Sequence, residues 1–526
     1  MSDCGVLIIG SGPSGTSAAF PLLKSGKNVI MADGGNTPSV FPPEKPALES
    51  WPHDDRQWEW KIGRDFHALR HMITASPKLR VPVHAYVFED FAKTHRIIAE
   101  NFIAVGSLAT GGLSNAWGCS VARLSPGELR AFPFAPEELD DGYAAAAQRM
   151  GMSGRADDDL TTFFGVDAWA GPPLPMEALH THILHNYTQK RNAVTATGFR
   201  LGRTRVAVLG ENWENRLKCD AVGNCLWGCA RNAQYASVYD LPDLKKFPTF
   251  SHEAGFIVEE IVRAGKTLHA RGMLRGTPHT LSATKIILAA GVLASTRIAL
   301  KSLMLRRELP VLSCPTAAFL LWLPRLFGIQ PKATFGFGQL SYAIDLGDDV
   351  SGYGSTYCTT GIPLSEFIRY MPFARPYSAM LLRGLLSSCL AGNLYLPGNF
   401  STSTVRLKDD GSLLISGGFS EKSSAVMRRA AAKLRSAYWA CGAVLLPTSF
   451  TVGMPGGDIH CSGTFPMRSQ PVLGTTSPSG EVHGLAGVFI ADGACLPELS
   501  EKPHLLTLMA NAHRIGRHIA ESQGEL

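Results

Sequence analysis

Short apolar runs with a polar or glycine boundary dominate the start of the chain. Residues 6–9 read Val-Leu-Ile-Ile, a run typical of a parallel strand buried on both faces. Residues 16–23 have the composition of a helix, with Pro21 within it, and a second apolar run over 29–32 ends at Asp33. The pattern predicts a strand, a loop, a helix and a second strand in succession.

Three glycines fill the turn between the first strand and the helix, in the spacing GxGxxG. In a dinucleotide-binding loop Gly10 makes the tight turn, Gly12 lets the backbone approach a pyrophosphate, and Gly15 lets the helix pack on the strand. The helix N-terminus then offers N–H groups to the phosphates, and Asp33 can accept a hydrogen bond from a ribose hydroxyl. An isolated GxGxxG among 53 glycines could be an ordinary turn, so the prediction rests on the order of all these elements. The loop alone does not distinguish FAD from NAD.

Alternation of apolar and polar residues appears again in the middle of the chain. Residues 401–407 alternate, and a turn-forming Asp-Asp-Gly follows at 409–411. This pattern predicts antiparallel strands within a mixed α+β unit.

Two stretches of the same region are unusually apolar, residues 317–323 and 380–386. Arginines flank them, among them Arg325, Arg375 and Arg383. Apolar residues beside cations are typical of a helix that lies in a membrane interface. A helix buried under the rest of the fold, or an oligomer contact, explains the pattern equally well. The membrane interpretation and these two alternatives all stay open.

Composition narrows the function classes. The chain has 526 residues, more than one hydrophobic core accommodates, with 45% hydrophobic and 18% charged residues, as in folded proteins. Its net charge of +6 is spread along the chain, without the basic clusters of a nucleic-acid-binding protein. No secretory signal is seen at the start, so we expect a cytoplasmic protein.

The eleven cysteines are too sparse for a disulfide scaffold. Cys219, Cys225 and Cys229 lie close together in sequence, which raises the possibility of a metal or iron–sulfur site. Their spacing differs from that of common zinc and ferredoxin motifs, and no fourth ligand is evident. Structural thiols are therefore the favoured interpretation, and no metal is predicted.

Three further segments carry recognisable motifs. Residues 110–118 read Thr-Gly-Gly-Leu-Ser-Asn-Ala-Trp-Gly, residues 286–291 read Ile-Ile-Leu-Ala-Ala-Gly, and residues 460–467 match HxxGTxxM. In this order they resemble the glucose-methanol-choline (GMC) family of flavin oxidoreductases. The resemblance extends over the whole chain in layout and is strongest at the two termini.

The resemblance implies an α/β fold with an α+β cap. Residues 1–125, 215–305 and 455–526 would form a discontinuous Rossmann-like FAD-binding domain. Residues 126–214 and 306–454 would form a substrate-binding cap domain with a mainly antiparallel sheet.

The resemblance also implies catalytic roles for two histidines. His460 corresponds to the family's catalytic base, a role that suits histidine because its unperturbed pKa lies near neutrality. His504 corresponds to the second histidine beside the flavin. Many members have Asn-Pro at the position of Pro503-His504, so the assignment of His504 depends on the members that have histidine there.

FAD is the cofactor that the resemblance implies. Some members attach flavin to a histidine of a Thr-His-Trp sequence, but here residues 115–117 read Asn-Ala-Trp, so we expect non-covalent binding. The residues predicted to contact FAD are Gly10, Gly12, Pro13, Ser14, Gly15, Asp33, Gly111, Gly112, Ser114, Asn115, Trp117, Ala290, Gly291, Asp492, Gly493, His504 and Leu505.

The expected reaction is oxidation of a CH–OH group, with hydride transfer to flavin N5 and His460 as the base. The substrate could be a sugar, a sterol-like alcohol or a lipid-linked alcohol, and the electron acceptor O2 or another oxidant. Two alternatives stay open: a flavin-dependent desaturase or isomerase, and a non-catalytic FAD-bearing scaffold. A peripheral membrane contact through the apolar stretches is a further expectation.

Overall fold

The computed structural model describes residues 4–42, 44, 55–70, 76–330, 332–359, 365–368 and 371–522. Its strands are β1 (Cys4–Ile9), β2 (Val29–Asp33), β3 (Ile97–Glu100), β4 (Met152–Ser153), β5 (Ala170–Gly171), β6 (Phe199–Arg203), β7 (Phe250–Ala254), β8 (Phe256–Ala264), β9 (Thr267–Leu274), β10 (Thr277–Leu288), β11 (Leu309–Pro310), β12 (Leu312–Ser313), β13 (Thr316–Trp322), β14 (Leu340–Asp345), β15 (Ser351–Cys358), β16 (Cys389–Tyr395), β17 (Thr404–Leu407), β18 (Leu413–Ser416), β19 (Val444–Leu445), β20 (Thr451–Val452), β21 (Cys461–Ser462) and β22 (Val488–Ile490). Its α-helices are α1 (Pro13–Lys24), α2 (Gln57–Lys61), α3 (His67–Arg70), α4 (Ala85–Phe88), α5 (Phe91–Thr94), α6 (Asp140–Met150), α7 (Thr161–Phe164), α8 (Ala178–Gln189), α9 (Arg191–Thr195), α10 (Leu241–Leu244), α11 (Val292–Ser302), α12 (Ser365–Ile368), α13 (Arg375–Leu386), α14 (Glu421–Ala440) and α15 (Leu505–Glu521).

The first large sheet is mainly parallel. Strand β1 lies at its centre between β2 and β10 and is parallel to both. Strand β7 continues the parallel order beyond β2, and β22 pairs in parallel with β10. Strands β8 and β9 add an antiparallel extension to β10. The predicted strand, helix and strand at the start of the chain are confirmed as β1, α1 and β2.

Helices from the two ends of the chain pack together beside this sheet. Helix α15 lies against α1, and a Cβ added at Gly516 would approach the backbone oxygen of Ala18 to 2.4 Å. Helix α6 packs on the other side of α15, where a Cβ at Gly142 would meet the backbone oxygen of Ala510 at 2.4 Å. These close approaches bring the first and last segments of the chain into one hydrophobic core.

The second large sheet is antiparallel, in the order β19-β13-β16-β15-β14-β6. Helices α8 and α14 cover one of its faces, where Ile183, Phe319, Tyr342 and Tyr438 belong to one buried cluster. The other face is turned toward a large cavity. A mixed α/β fold with several sheets is therefore confirmed. The domain boundaries stay predictions, and α6, from the stretch 126–214, contributes side chains to the core of the first sheet.

One predicted pair of strands in the cap region is confirmed. Strands β17 and β18 pair in antiparallel register, from Thr404↔Ser416 to Leu407↔Leu413, around the turn at 409–411. Both belong to a smaller four-stranded sheet with β11 and β3.

The prediction of a helix over 317–323 is wrong. These residues lie in and just after β13, which pairs with β16 on one side and with β19 and β20 on the other. The run is apolar because this strand is buried within the sheet, and periodicity alone does not separate such a strand from a buried helix. Residues 380–386 do form a helix, the second half of α13, although the Arg383 side chain lies outside the described part of the structure. Over the described ranges, no helix has the length and apolar character needed to cross a bilayer.

Candidate active site

A cavity of about 1150 Å³ extends from the carboxyl ends of the parallel strands to the open face of the antiparallel sheet. Ligand pockets are generally about 300–1,000 Å³. The cavity is thus large enough for a dinucleotide together with a small substrate.

The glycine loop forms one end of this cavity. Gly10 has a φ of +111°, and a Cβ there would lie 2.2 Å from the backbone oxygen of Ala289. A Cβ at Gly15 would lie 1.9 Å from the backbone oxygen of Gly10, so Gly15 is where α1 packs against the end of β1. Among the described residues, none places an atom within 4 Å of a Cβ built at Gly12, the N-cap of α1. The loop is therefore tight where the backbone packs and open toward the cavity.

Asp33 ends β2 beside this loop and has several partners. Its Oδ1 accepts a hydrogen bond from the Gly35 N–H (2.9 Å) and one from the Thr110 hydroxyl (3.3 Å). Its Oδ2 accepts from the Ser11 hydroxyl and lies 3.0 Å from Nε2 of His252. These contacts fix the orientation of the carboxylate at the cavity wall.

The segment 110–118 lies directly on the glycine loop. The Gly111 N–H donates to the Ser11 hydroxyl oxygen at 2.9 Å, and a Cβ at Gly112 would lie 3.3 Å from Cα of Gly12. Asn115 donates from Nδ2 to the backbone oxygens of Thr110 and Gly112, both at 2.9 Å. The two glycine-rich segments therefore form one structure around the same end of the cavity.

Asp492 joins the ends of β10 and β22. Its Oδ2 accepts from the Gly291 N–H (2.9 Å) and the Ser295 hydroxyl (2.5 Å), and its Oδ1 accepts from the Ala494 N–H (3.0 Å). Burial raises the pKa of Asp492 to about 6. The carboxylate holds the Gly291 turn in place at the cavity wall, while a direct contact with FAD stays a prediction.

Most of the predicted FAD contacts border the cavity. The residues that line it are Gly10, Gly12, Pro13, Ser14, Asp33, Gly112, Ser114, Trp117, Ala290, Gly291, Asp492, Gly493, His504 and Leu505. Gly15, Gly111 and Asn115 lie behind this lining, where they support the two glycine loops. The structure thus brings together segments from both ends of the chain.

His460 and His504 lie side by side at the other end of the lining. Their ring centroids are 4.7 Å apart, and the rings meet edge to face at 87°. The His460 ring is also 5.2 Å from that of Tyr395 on β16. Burial lowers the pKa of His460 to about 4 and lowers that of His504 well below its usual value, to which His460 contributes. Both imidazoles are therefore neutral near pH 7, the form in which a base can accept a proton.

Asp458 lies behind His460 and was not identified from the sequence. Its Oδ2 is 3.9 Å from Nδ1 of His460 and accepts a hydrogen bond from the Cys314 N–H at 2.9 Å. Burial raises the pKa of Asp458 to about 8. The buried Nδ1 of His460 faces this carboxyl group, which leaves Nε2 as the nitrogen available to a substrate.

Strand pairing holds His460 at this position. Strand β21, which follows His460, pairs with β12 in the register Ser313↔Cys461. The Gly463 N–H donates to the backbone oxygen of Gly493 at 3.1 Å. The motif around His460 is thus attached both to β12 and to the Asp492 turn.

Polar side chains of the antiparallel sheet form the wall opposite the parallel strands. Asn393 on β16 donates from Nδ2 to the hydroxyl oxygens of Tyr357 (3.1 Å) and Tyr395 (3.2 Å). Its Oδ1 accepts from the Ser355 N–H at 2.8 Å. All four residues line the cavity. The sequence offered no motif for them, because they come from alternate positions of two strands.

Lys78 also lines the cavity and had not been singled out from the sequence. Its ammonium group donates to the backbone oxygen of Trp117 and lies 4.2 Å from the ring centroid of Phe337. Burial lowers the pKa of Lys78 to about 8. Lys78 and Arg80 are the lysine and arginine residues that the described part of the structure places in the lining.

Comparisons with known proteins give a likeness of fold. No protein-family model matches the sequence, and no curated protein matches it. Among solved structures, pyridoxine 4-oxidase from Mesorbium loti is similar, with a TM-score of 0.60 and 13% sequence identity over 98% of this chain and 99% of that one. The chain therefore has the overall fold of that oxidase along nearly its whole length.

Proposed function

We propose that this protein is a GMC-type, FAD-dependent oxidoreductase that oxidises a CH–OH group. The observation that carries the proposal is the arrangement of one cavity with a glycine-lined end and a pair of neutral histidines. The fold likeness to pyridoxine 4-oxidase supports an oxidoreductase.

The lining residues fit FAD. The turn at Gly10, with the open space beside Gly12, lies at the N-terminus of α1, and this geometry suits a pyrophosphate. Strands β7, β2, β1, β10 and β22 form the parallel part of the sheet, and Asp33 and Asp492 follow two of these strands. In open parallel sheets ligands bind outside the carboxyl ends of the strands. A Rossmann-like FAD site is the interpretation that accounts for all these features.

The reaction requires a base, a positioning group and a hydride acceptor. When bound, FAD supplies the acceptor through its N5. Nε2 of His460 accepts the hydroxyl proton of the substrate, and His504 hydrogen-bonds the same oxygen to hold it in register. Asp458 lies beside the Nδ1 of His460, where a carboxylate would stabilise the imidazolium that forms. The polar wall around Asn393 lies opposite and would orient the rest of the substrate.

The substrate class follows from this wall. Asn393, Tyr357 and Tyr395 offer hydrogen bonds beside aromatic faces, an arrangement suited to a small alcohol with a ring and polar substituents. The isomerase alternative would need a carboxylate presented over the flavin. Near the histidines, the acid in the described lining is Asp458, whose side chain is fully buried behind His460. The alcohol-oxidising function is therefore the one that the site favours.

We also propose that α13 contacts an anionic membrane surface. Tyr377, Met380 and Leu381 of this helix are exposed by 67%, 71% and 49%, whereas Leu382 lines the cavity. The segment 365–386 contains three arginines and one glutamate, a charge that complements anionic lipid. The helix thus lies between the cavity and solvent, with its exposed apolar side chains on the outer side.

Replacing His460 tests the proposed function. His460→Ala should leave FAD bound, because the glycine loops are untouched, but should slow flavin reduction by the alcohol by about two or more orders of magnitude. Anaerobic stopped-flow bleaching of the flavin absorbance measures this rate, with a panel of aromatic, sugar and lipid alcohols as substrates. His513→Ala, a change on α15 outside the cavity lining, is the matched control. Unchanged flavin reduction in His460→Ala, or wild-type protein that cannot bind FAD, would refute the proposal.

A further inference from the structure

A second cavity lies beside the first, where Phe335 of its lining meets Phe337 of the first cavity with ring centroids 6.0 Å apart. Its volume is about 390 Å³, and Cys219, Cys225 and Cys229 all line it. All three are free thiols. The alcohol oxidation proposed above makes no use of this cavity or of these cysteines.

The three thiols lie within electrostatic range of one another. Burial raises the pKa of Cys225, and the neighbouring Cys219 and Cys229 raise it further. Burial likewise raises the pKa of Cys219 to about 11, with Cys229 adding to the effect. The three sulfur-bearing side chains therefore share one space instead of lying in three separate ones.

The three thiols are too widely spaced for one metal ion. Zinc–sulfur bonds are about 2.3 Å long, so two thiolates on one ion lie no more than about 4.6 Å apart. Over the described residues, two sets have their potential ligand atoms within 4.8 Å of one another: Glu177, His180 and Cys358, and Cys314, Asp458 and His460. The three cysteines do not meet that spacing, yet they surround a single cavity. In a centre with several metal atoms each thiolate can bind a different atom, so the cysteines need only line the same cavity, as these three do.

Backbone N–H groups point at the sulfur atoms. The Ala221 N–H donates to Sγ of Cys219 at 3.4 Å, and the Gly336 N–H donates to Sγ of Cys225 at 3.3 Å. Ala221 has a φ of +60°, so the turn after Cys219 is left-handed. Hydrogen bonds to sulfur and turns that expose N–H groups are typical surroundings of iron–sulfur clusters.

We propose that Cys219, Cys225 and Cys229 ligate an iron–sulfur cluster in this cavity. Three thiolates leave one corner of a cubane cluster without a cysteine ligand, which suits a three-iron centre or a four-iron centre with a different ligand at that corner. The cluster would take electrons from the flavin to an external acceptor.

A short layer of side chains separates the two cavities. Trp117 lines the first cavity and packs against the same buried cluster as Cys219 and Cys229. Cys119 also lines the first cavity and interacts electrostatically with Cys229. On its far side the second cavity is lined by Leu217, which is 42% exposed. The site is thus close to both the flavin cavity and the protein surface.

The electron balance follows from alcohol oxidation, so this role of the cluster rests on the proposed function. Each alcohol oxidised to a carbonyl gives up two electrons and two protons. The electrons would pass through the cluster one at a time to two equivalents of an external one-electron oxidant, and the protons would leave to solvent. The protein would then act mainly as a dehydrogenase, with O2 a poorer acceptor.

Metal and sulfide analysis tests the assignment. Holoprotein isolated anaerobically should contain iron and acid-labile sulfide in stoichiometric proportion to the chain and show an iron–sulfur EPR signal. Cys225→Ser should lower the iron content by at least about tenfold. Its FAD content and its flavin reduction by alcohol should stay at the wild-type level, while turnover with ferricyanide should fall by at least about tenfold. Cys441→Ser, a buried cysteine under the antiparallel sheet, is the matched control and should retain the cluster.

The outcomes separate this proposal from the proposed function. Wild-type protein without iron and sulfide, or with zinc at the cysteines, would overturn the cluster even if alcohol reduces the flavin. Iron and sulfide in a protein whose flavin no alcohol reduces would support the cluster and refute the alcohol oxidation. If Cys225→Ser does not fold, the iron, sulfide and EPR signal of the wild-type protein decide the question.

Discussion

The two large sheets contribute to the main cavity in different ways. The parallel sheet contributes its edge: Gly10, Asp33 and Asp492 come from the ends of its strands and the turns that follow them. The antiparallel sheet contributes a face, with Ser355 and Asn393 in mid-strand. An edge site depends on backbone turns, whereas a face site depends on side chains. We therefore propose that the first sheet binds the cofactor and that the second selects the substrate.

The largest effects are expected from two glycine substitutions in the loop at the edge of the parallel sheet. Gly15→Ala should prevent folding around FAD, because its Cβ would lie 1.9 Å from the backbone oxygen of Gly10. Gly12→Ala should fold normally, because the part of the chain that the structure describes leaves the space within 4 Å of that Cβ free. It should nevertheless weaken FAD binding by about tenfold or more, the effect of losing about 1.4 kcal/mol. Flavin absorbance per chain and thermal unfolding followed by circular dichroism measure both effects. Equal melting temperatures for the two variants would contradict the role given to Gly15.

A substitution on the cavity-lining face of the antiparallel sheet should change the affinity for the substrate. Asn393→Ala removes the hydrogen bonds to Tyr357, Tyr395 and Ser355. Without these bonds the two tyrosine hydroxyls are no longer held in place for the substrate, so we expect KM to rise by about tenfold, the effect of losing about 1.4 kcal/mol, with FAD content unchanged. Asn186→Ala, which removes a hydrogen bond to the backbone of Cys441 away from the cavity, is the control. A loss of FAD in Asn393→Ala alone would show that the two sheets do not divide their roles in this way.

The pH dependence of flavin reduction tests the roles of His460 and Asp458, which lie between the edge of the parallel sheet and the face of the antiparallel sheet. His460, with a pKa of about 4, is neutral at all higher pH values, so the base is available from mildly acidic pH upward. Asp458 is protonated below about pH 8 and ionises above it. Its carboxylate then stabilises the imidazolium, so the rate of flavin reduction should rise several-fold as pH increases through about 8. Asp458→Asn should abolish this rise. A rise that persists in the variant would exclude Asp458 as its cause.

The smallest expected effect concerns the outer surface of the cap. The wild-type protein should float with vesicles that contain an anionic lipid. Met380→Ser with Leu381→Ser should reduce the bound fraction several-fold, because side chains at the interface bury only part of the surface whose full burial contributes about 1.5–3 kcal/mol each. Met304→Ser changes a methionine that is 81% exposed outside α13 and serves as control. Wild-type protein that does not float would leave α13 without a membrane role.

The difference between edge and face also determines what the sequence could predict. Gly10, Asp33 and the β1–α1–β2 order were predictable because turn geometry depends on neighbouring residues. Asn393 and Ser355 were not, because their proximity arises only when β15 and β16 pair. Asp458 lies two residues before His460 but becomes relevant through its burial and its bond to Cys314. The helix expected over 317–323 failed for a related reason, since pairing partners decide whether a short apolar run becomes a strand.

The contact between α1 and α15 has a consequence for biosynthesis. Gly10 leaves the ribosome well before β22, which pairs with β10 and precedes Asp492. A nascent chain therefore exposes its glycine loop beside an incomplete sheet until β22 has been made. The proposed flavin site would be complete only after synthesis of β22, so a shortage of FAD would act on chains that already contain both halves of the site.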